Sequence, residues 1–302
     1  MLVSIVIPTH NEAEHISNCL QAIFHLIQND FEVIVVDNGS IDKTKDIVTA
    51  YDCLLVSLDH QTFPAIARNL GVERASGEII VFLDADVIIS ELWAEQLSSL
   101  IARKNLCLAT LYCGAPYHLS RNPGWIEKYW FKPLIGKKSN YINGGNIIIS
   151  RLAFERLGGF DGSFETGEDV DLAARASSLG IPMQVDLRWK VYHEGFPKSL
   201  YQFMRRERWH GKGDYVSLQT FLSSKMALAT AFFVFLHLLL IVGCLYEGLA
   251  SQVMLVSLFL LILMNVLRVF RDHGMVDLRT FLAATFLSYI YFFGRAQSFF
   301  FN

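Results

Sequence analysis

Charge is scarce in this 302-residue chain. Asp, Glu, Lys and Arg together make up 18%, against about 25% in an average globular protein. The 26 basic residues are outnumbered by 29 acidic ones. Without a cationic surplus, nucleic acid is not expected as the main partner, because phosphate binding needs a basic field. Cysteine is sparse and scattered: Cys19, Cys53, Cys107, Cys113 and Cys244 form no C-x-x-C pair. Neither a zinc site nor a disulfide framework is indicated, and reduced thiols in a cytosolic compartment are expected. No G-x-G-x-x-G follows the first apolar run, and no G-x-x-x-x-G-K-[ST] occurs. The dinucleotide fingerprint and the P-loop are thereby excluded. Internal repeats and low-complexity tracts are also absent.

Apolar residues are in excess, at 52% of the chain, and the excess is concentrated near the end. Met226 to Tyr246 carries no formal charge, and His237 is its only readily titratable group. Gly248 to Leu267 is likewise uncharged. Each run has about the 20 residues that a bilayer-spanning helix needs. The shorter run Phe281–Gly294 suggests a third helix over about 278–300 if Arg295 snorkels, or a partly re-entrant segment. The expected membrane region is therefore 226–302, with two to three helices, the first two at 226–246 and 248–267. Arg205, Arg206, Arg208, Lys212 and Lys225 precede the first run, and Arg268, Arg271 and Arg279 follow the second. The turn between them has Glu247 and no cation. The positive-inside bias places residues 1–225 in the cytoplasm and the Glu247 turn outside, so a multi-pass protein of the cell (inner) membrane is expected. Met1–Pro8 lacks a basic n-region, and no secretory signal is expected.

Residues 1–225 read as an α/β domain. Leu2–Ile7, Phe31–Val36, Cys53–Val56 and Glu78–Leu83 are short apolar runs bounded by turn residues, which predicts four strands. Ile16, Leu20, Ile23, Phe24 and Ile27 share one face of a helix predicted over Glu12–Ile27. Further helices are predicted over Asp42–Ala50 and from Pro64 to Ala75. Continuous rather than alternating apolar strands, separated by helices, predict a mostly parallel, Rossmann-like sheet with helices on both faces. Such sheets bind ligands beyond the carboxyl ends of their strands. The polar clusters Thr9–Glu12, Asp37–Ser40 and Asp84–Asp86 fall there.

Asp84 and Asp86, one residue apart after an apolar strand, would project to the same side of an extended segment. Two hard oxygen ligands so placed suit Mg²⁺ or Mn²⁺ bound with substrate phosphates; the alternative is a solvated turn. Asp37 would accept from a base or ribose group, or else cap a helix. Glu168-Asp169 is either an acidic pair for proton transfer or a helix N-terminal cluster favoured by the macrodipole. His193, after a predicted strand, suits either a metal ligand or a hydrogen-bonded loop residue, whereas His10 reads as a loop residue.

Three segments carry a likeness when taken together: Ile5-Val6-Ile7-Pro8-Thr9-His10-Asn11-Glu12, Val35-Val36-Asp37-Asn38-Gly39-Ser40-x-Asp42, and Ala67-Arg68-Asn69-x-Gly71 leading to Phe82-Leu83-Asp84-Ala85-Asp86. Further on stand Gly144-Gly145-Asn146, Gly158-Gly159-Phe160-Asp161 and Gly167-Glu168-Asp169-Val170-Asp171-Leu172. In this order and spacing, over residues 3–210, they resemble the family 2 glycosyltransferases of the GT-A fold. The resemblance implies a nucleotide-sugar donor, with a UDP-sugar first and GDP- and dTDP-sugars open. It implies that Pro8, Thr9 and Glu12 line the nucleoside pocket, that Asp37 with Asn38 meets the base, and that Arg68 faces the base or diphosphate. Asp84 would contact donor hydroxyls, and Asp86 would hold Mn²⁺ or Mg²⁺, with His193 completing the metal shell. Glu168 and Asp169 would be the catalytic pair, with Asp169 as base. Gly144, Gly145 and Asn146 would lie on the acceptor side. Direct displacement by one activated hydroxyl inverts the anomeric centre, so an inverting transferase is expected.

Residues 198–225 alternate aromatic and basic side chains, which suits either an amphipathic junction on an anionic membrane surface or a packed helix with a solvated basic face. Arg205-Arg206-Glu207-Arg208-Trp209 partly resembles the Q-x-x-R-W element of processive family members. Arg205 stands in place of the Gln, which argues against processive synthesis, while Trp209 is expected to help shape an acceptor site. A membrane anchor suggests a lipid-linked acceptor. The rival readings are a catalytically silent nucleotide-sugar-binding protein at the membrane and a nucleotidyltransferase. The presence of Asp86 and Asp169 speaks against the first, and the lack of a Gly-rich loop after the first strand speaks against the second.

Overall fold

A computed structural model describes residues 2–103, 110–114, 117–135, 142–215, 218–245 and 250–299. Cys107 and the predicted Glu247 turn lie outside the described residues. The chain divides into two compact units, Met1–Asn122 with Ile135–Phe196, and Pro123–Leu134 with Pro197–Asn302. This differs from a boundary at 225. The junction 198–225 and the aromatic segment 123–134 pack with the apolar helices rather than with the sheet.

In the first unit the strands are β1 (Val3–Thr9), β2 (Phe31–Asn38), β3 (Leu54–Leu58), β4 (Ile79–Leu83), β5 (Val87–Ile89), β6 (Leu111–Gly114), β7 (Asn146–Ser150), β8 (Met183–Asp186) and β9 (Val191–His193). The helices are α1 (Ile16–Leu26), α2 (Thr44–Val48), α3 (Pro64–Arg74), α4 (Glu91–Ala102), α5 (Arg151–Leu157) and α6 (Glu168–Ser178). The seven-stranded sheet runs β3-β2-β1-β4-β7-β6-β8, and β5 pairs with β9 in a separate ribbon. The pairs β1–β2, β1–β4, β2–β3 and β6–β8 are parallel, while β4–β7 and β6–β7 are antiparallel. The sheet is thus mostly parallel.

Burial explains the continuous apolar strands. Val3, Ile5 and Ile7 pack with Ile16, Leu20 and Ile23 of α1 on one face. Val6, Ile80 and Phe82 pack with Phe154 and Leu172, from α5 and α6, on the other. Gly71 lets α3 lie against β1, since a Cβ there would collide with the Val6 side chain.

The chain runs from β1 outward to β2 and β3, then returns through α3 to β4 on the other side of β1. The order therefore reverses between β1 and β4, and such a switch point is where ligands bind in open α/β sheets.

The predicted elements are present with shifted ends. α1 starts at Ile16 rather than Glu12 because the loop before it is held otherwise. Asn11 has φ 56°, its N–H donates to Ser40 Oγ, and its Oδ1 accepts from Ile41 N–H. Glu12 N–H donates to Thr44 Oγ1. α2 begins at Thr44 because Asp42 accepts from the Thr44 N–H and hydroxyl and from the Ala13 N–H. These bonds join the loops after β1 and β2.

In the second unit a π-helical turn, Glu127–Phe131, precedes α7 (Leu200–Lys212), α8 (Leu218–Ser223), α9 (Lys225–Leu245), α10 (Ala250–His273) and α11 (Leu278–Gln297). Among the described residues two helices are long and apolar enough to cross a membrane, Lys225–Leu245 and Gln252–His273, by length and composition only. α7 opens on a capping box between Ser199 and Gln202 and buries Phe203, Glu207 and Gly211. It is a packed helix with part of its basic face exposed. α11 is one continuous helix, and Arg295 near its end is held by carboxylates. Its Nη1 donates to Asp214 Oδ2 at 2.6 Å and its Nε lies 3.6 Å from Glu207 Oε2. Partnered carboxylates outcompete water for this guanidinium.

Candidate active site

The site is assembled at the ends of β1, β2 and β4. Arg68 sits on the second turn of α3 and is 4% exposed. Its Nη1 donates to Glu168 Oε1 at 2.6 Å, and its Nη2 donates to Asp84 Oδ1 at 2.8 Å. One guanidinium thus joins the end of β4 to the first turn of α6. A buried cation flanked by two carboxylates stays charged; Asp84 and Glu168 outweigh the burial that would otherwise lower its pKa. Glu168 is nevertheless pushed up by its own burial and by Asp169, against the pull of Arg68.

Asp169 is 8% exposed. Its Oδ2 accepts from Gly144 N–H at 3.0 Å and its Oδ1 from Val170 N–H at 2.8 Å. A Cβ on Gly144 would come within 3.4 Å of Arg68 and 3.5 Å of Asp169. At Gly145 it would collide with the Asp84 carboxylate and the Tyr117 hydroxyl. Gly145 therefore acts through its lack of a side chain, which lets the Asp84 carboxylate approach the backbone, whereas a Cβ on Gly144 would make ordinary contacts.

Asp86 and His193 meet through strand register. β5 pairs antiparallel with β9, with Val87 opposite His193. This sets His193 Nε2 3.2 Å from Asp86 Oδ2. Gly195 closes the arrangement, because any Cβ there would strike the Asp86 carboxylate. Asp86 Oδ1 and His193 Nδ1 are buried without hydrogen-bond partners. Burial pushes Asp86 up, His193 opposes this, and Asp84 adds to it. Glu12 is pushed up to about 8 by burial and then by Asp86 and Asp84. An acidic cluster with orphaned ligand atoms is chemically suited to a divalent cation, and the carboxylate–imidazole donor set fits Mn²⁺. Among the described residues no group of three or more His, Cys, Asp or Glu converges on one point.

Three of the expected site residues already have protein partners. Asp84 Oδ1 accepts from Arg68 Nη2 and its Oδ2 from Tyr117 Oη at 3.0 Å. Asn38 does not face a base. Its Oδ1 accepts from Thr62 N–H and Oγ1–H, and its Nδ2 donates to Thr62 O, so it pins the β3–α3 loop. Asn146 is fully buried, accepting from Trp93 Nε1 and donating to Trp189 O, so it anchors the core rather than an acceptor.

Asp37 keeps its place at the end of β2, fully buried, with Oδ2 accepting from Ser40 N–H and Oδ1 unpartnered. Thr9 is buried with Oγ1 unpartnered, and Pro8 beside it is half-buried. His10 donates Nδ1–H to Asn38 O, as a loop residue does. Trp209 lies on α7 of the second unit, 38% exposed. Sequence reasoning missed Tyr117, which holds Asp84 and stacks on His193 with ring centroids 4.5 Å apart and planes at 22°. A lone Tyr after a short strand carries no spacing signal. Gly195 was legible only as the neighbour of His193.

Among known proteins, glycosyltransferase AglE of Haloferax volcanii is 35% identical over 192 residues, 59% of this chain and 62% of the relative. The pre-mycofactocin glycosyltransferase of Mycobacterium tuberculosis is 28% identical over 209 residues, covering 64% of this chain but 42% of the relative. The chain thus matches only part of the length of these curated relatives. The mannosyltransferase PcManGT from Pyrobaculum calidifontis, solved with GDP-Man and Mn²⁺, superposes with a TM-score of 0.57 at 20% identity, covering 95% of this chain and 86% of that one. TarS of S. aureus with UDP-GlcNAc superposes at 0.52 and 16% identity, covering 95% and 90%. These similarities show the GT-A fold. Residues 4–157 match the family described as glycosyl transferase family 2, and the chain belongs to that family.

Proposed function

We propose that the chain is an inverting, metal-dependent glycosyltransferase held at the cytoplasmic face of a cell membrane. It moves a sugar from a nucleoside-diphosphate donor to a hydroxyl or phosphate of a lipid-linked or glycan acceptor. The observation that carries this reading is the Arg68 bridge, which gathers Asp84 and Glu168, the neighbour of Asp169, at the switch point of the sheet.

The donor end follows from unpartnered buried atoms. Asp37 Oδ1 and Thr9 Oγ1 are positioned to take hydrogen bonds from a base and ribose. A UDP-sugar is placed first and a GDP-sugar second, since structures of this fold hold UDP-GlcNAc and GDP-mannose. Asp86 and His193 would hold Mn²⁺ or Mg²⁺ together with the donor diphosphate. When bound, the cation would offset negative charge growing on the departing diphosphate. Asp84, fixed by Arg68 and Tyr117, orients the donor sugar hydroxyls. Asp169 accepts the acceptor proton from within hydrogen-bond reach, and one displacement with one base inverts the anomeric carbon. Glu168 and Arg68 hold Asp169 and Asp84 in one frame.

The anchor is α9 and α10. Their lengths match a bilayer core at about 1.5 Å per residue, and Arg268 and Arg271 stand in the last turns of α10, at the end the positive-inside bias would keep inside. A transferase held there meets acceptors carried by lipids.

The test is thermal unfolding of the full chain with UDP, GDP or dTDP, with and without Mn²⁺. One nucleotide should raise the midpoint, more so with Mn²⁺. Asp86→Ala should lose the Mn²⁺-dependent part. Asp169→Asn should keep the donor-induced shift while turnover falls about 10²–10⁴-fold. No shift with any nucleotide would overturn the reading.

A further inference from the structure

The second unit contains a cationic cavity that the transfer chemistry does not use. It encloses about 500 Å³ and is lined by Lys128, Tyr129, Lys132, His273, Val276 and Thr280, together with Pro133. Lys128 and Lys132 are four residues apart on the turn 127–134 and both are exposed. Glu127 beside them is turned inward, 1% exposed, with Oε1 accepting from Gly124 N–H. The outward charge of this segment is therefore basic.

Other groups keep that sign. Arg279 is exposed and lies over the Tyr129 ring, 5.9 Å from its centroid. His273 donates Nε2–H to Tyr129 O, which ties the segment to the end of α10. The nearby acids are already engaged. Asp277 caps α11, accepting from the N–H and hydroxyl of Thr280. Asp272 pairs with Arg271 and Arg268. A cavity whose described lining carries two lysines and no carboxylate accepts an anion.

Its place in the fold identifies the anion. The cavity lies at the turn joining α10 to α11, where the second apolar helix ends in Arg271 and His273. The turn 127–134 mixes Tyr129, Trp130 and Phe131 with the two lysines, the composition of a segment lying at the headgroup level. Trp130 packs on Phe203 and Tyr291 at 5.3 and 5.4 Å, so the segment is fixed to the helices. A cation cluster at that depth meets lipid phosphates.

We propose that this cavity binds the phosphate-bearing headgroup of an anionic membrane lipid, as a site separate from the transferase centre. The site fixes the depth and rotation of the second unit at the membrane surface through Lys128 and Lys132. The proposal rests on the reading that α10 crosses a bilayer. It does not depend on donor, metal or turnover.

The experiment uses the full chain in nanodiscs of phosphatidylcholine. Dioctanoyl phosphatidylglycerol, dioctanoyl phosphatidylcholine and inorganic phosphate are titrated separately and followed by calorimetry. Phosphatidylglycerol should bind saturably, and phosphatidylcholine should not. The double variant Lys128→Ala, Lys132→Ala should weaken phosphatidylglycerol binding at least about tenfold. Its unfolding midpoint in phosphatidylcholine should be unchanged, since both side chains are exposed. Lys198→Ala, an exposed lysine outside the cavity, should bind as wild type. Unaltered affinity in the double variant overturns the proposal, as does inorganic phosphate binding as tightly as the lipid. If the chain transfers no sugar yet binds phosphatidylglycerol as described, the reading of the active site falls and this one stands.

Discussion

On the proposed reading, Tyr117 separates the job of Asp84 from that of Asp86. Its hydroxyl holds Asp84, while its ring lies on His193 beside Asp86. A hydrogen bond to a charged group is worth about 1.5–3 kcal/mol. Tyr117→Phe should therefore lower kcat by about ten- to a hundredfold while leaving the Mn²⁺ concentration for half-maximal activity unchanged. Tyr117→Leu removes the stack as well and should also raise that concentration. Equal Mn²⁺ dependence in the two variants would count against the division. Glu12 gives a second test at this scale. Its carboxyl is pushed up to about 8 from an ordinary 4.5. Between those values the folded chain keeps a proton that the unfolded chain has released, so stability falls as pH rises from about 4.5 to about 8. The metal-free protein should melt lower at pH 8 than at pH 5, and Glu12→Gln should flatten that difference. Added Mn²⁺ should shrink it too, because a nearby cation favours the carboxylate.

Elements place these residues, and how legible they were depends on how far apart in sequence they lie. β1 to β4 and their helices were readable because each is a local run of apolar residues with a turn at its end. The carboxylates at those ends were readable for the same reason. The pairing of β5 with β9 was not: it joins positions about a hundred residues apart through three residues each, with no turn chemistry to announce it. The roles of Asn38 and Asn146 were misread because an amide can satisfy loop or core as readily as ligand. Only the observed partners, Thr62 for one and Trp93 with Trp189 for the other, decide. Arg68 was legible as a motif residue but not as a bridge between α3, β4 and α6. Its removal leaves Asp84 and Glu168 without their cation. Arg68→Met should cost about 3–5 kcal/mol of stability, measured by denaturant unfolding. Arg68→Met paired with Glu168→Gln should recover part of that loss while staying inactive. A double variant no more stable than the single one would mean that the carboxylates are not strained by losing the cation.

At the scale of the whole chain, the proposed membrane anchor raises the question of how often it would cross, and the ion pairs of the second unit bear on it. Sequence hydropathy left α11 open as a third span. A third span would carry Arg295 to the side opposite Lys225. Yet Arg295 pairs with Asp214 and Glu207, which precede Lys225 in the chain, and Ser224 itself donates to Asp214. Breaking such pairs to cross a bilayer would leave Arg295 and Asp214 without charged partners, while Glu207 would keep Arg206. α11 also places Tyr289 against His237 and Phe292 against Phe233, all from the first two-thirds of α9. On the proposed anchoring by α9 and α10, α11 is therefore expected to stay on the side where α9 begins, with two crossings in all. In a cysteine-free background, Glu247→Cys should react with a membrane-impermeant maleimide applied from outside the cell. Met275→Cys and Phe299→Cys should react only after the membrane is opened. Labelling of Phe299→Cys from outside would restore the third span. It would also require the Arg295–Asp214 pair to form only in the absence of lipid, because one residue cannot end on the far surface while its partner precedes the first crossing.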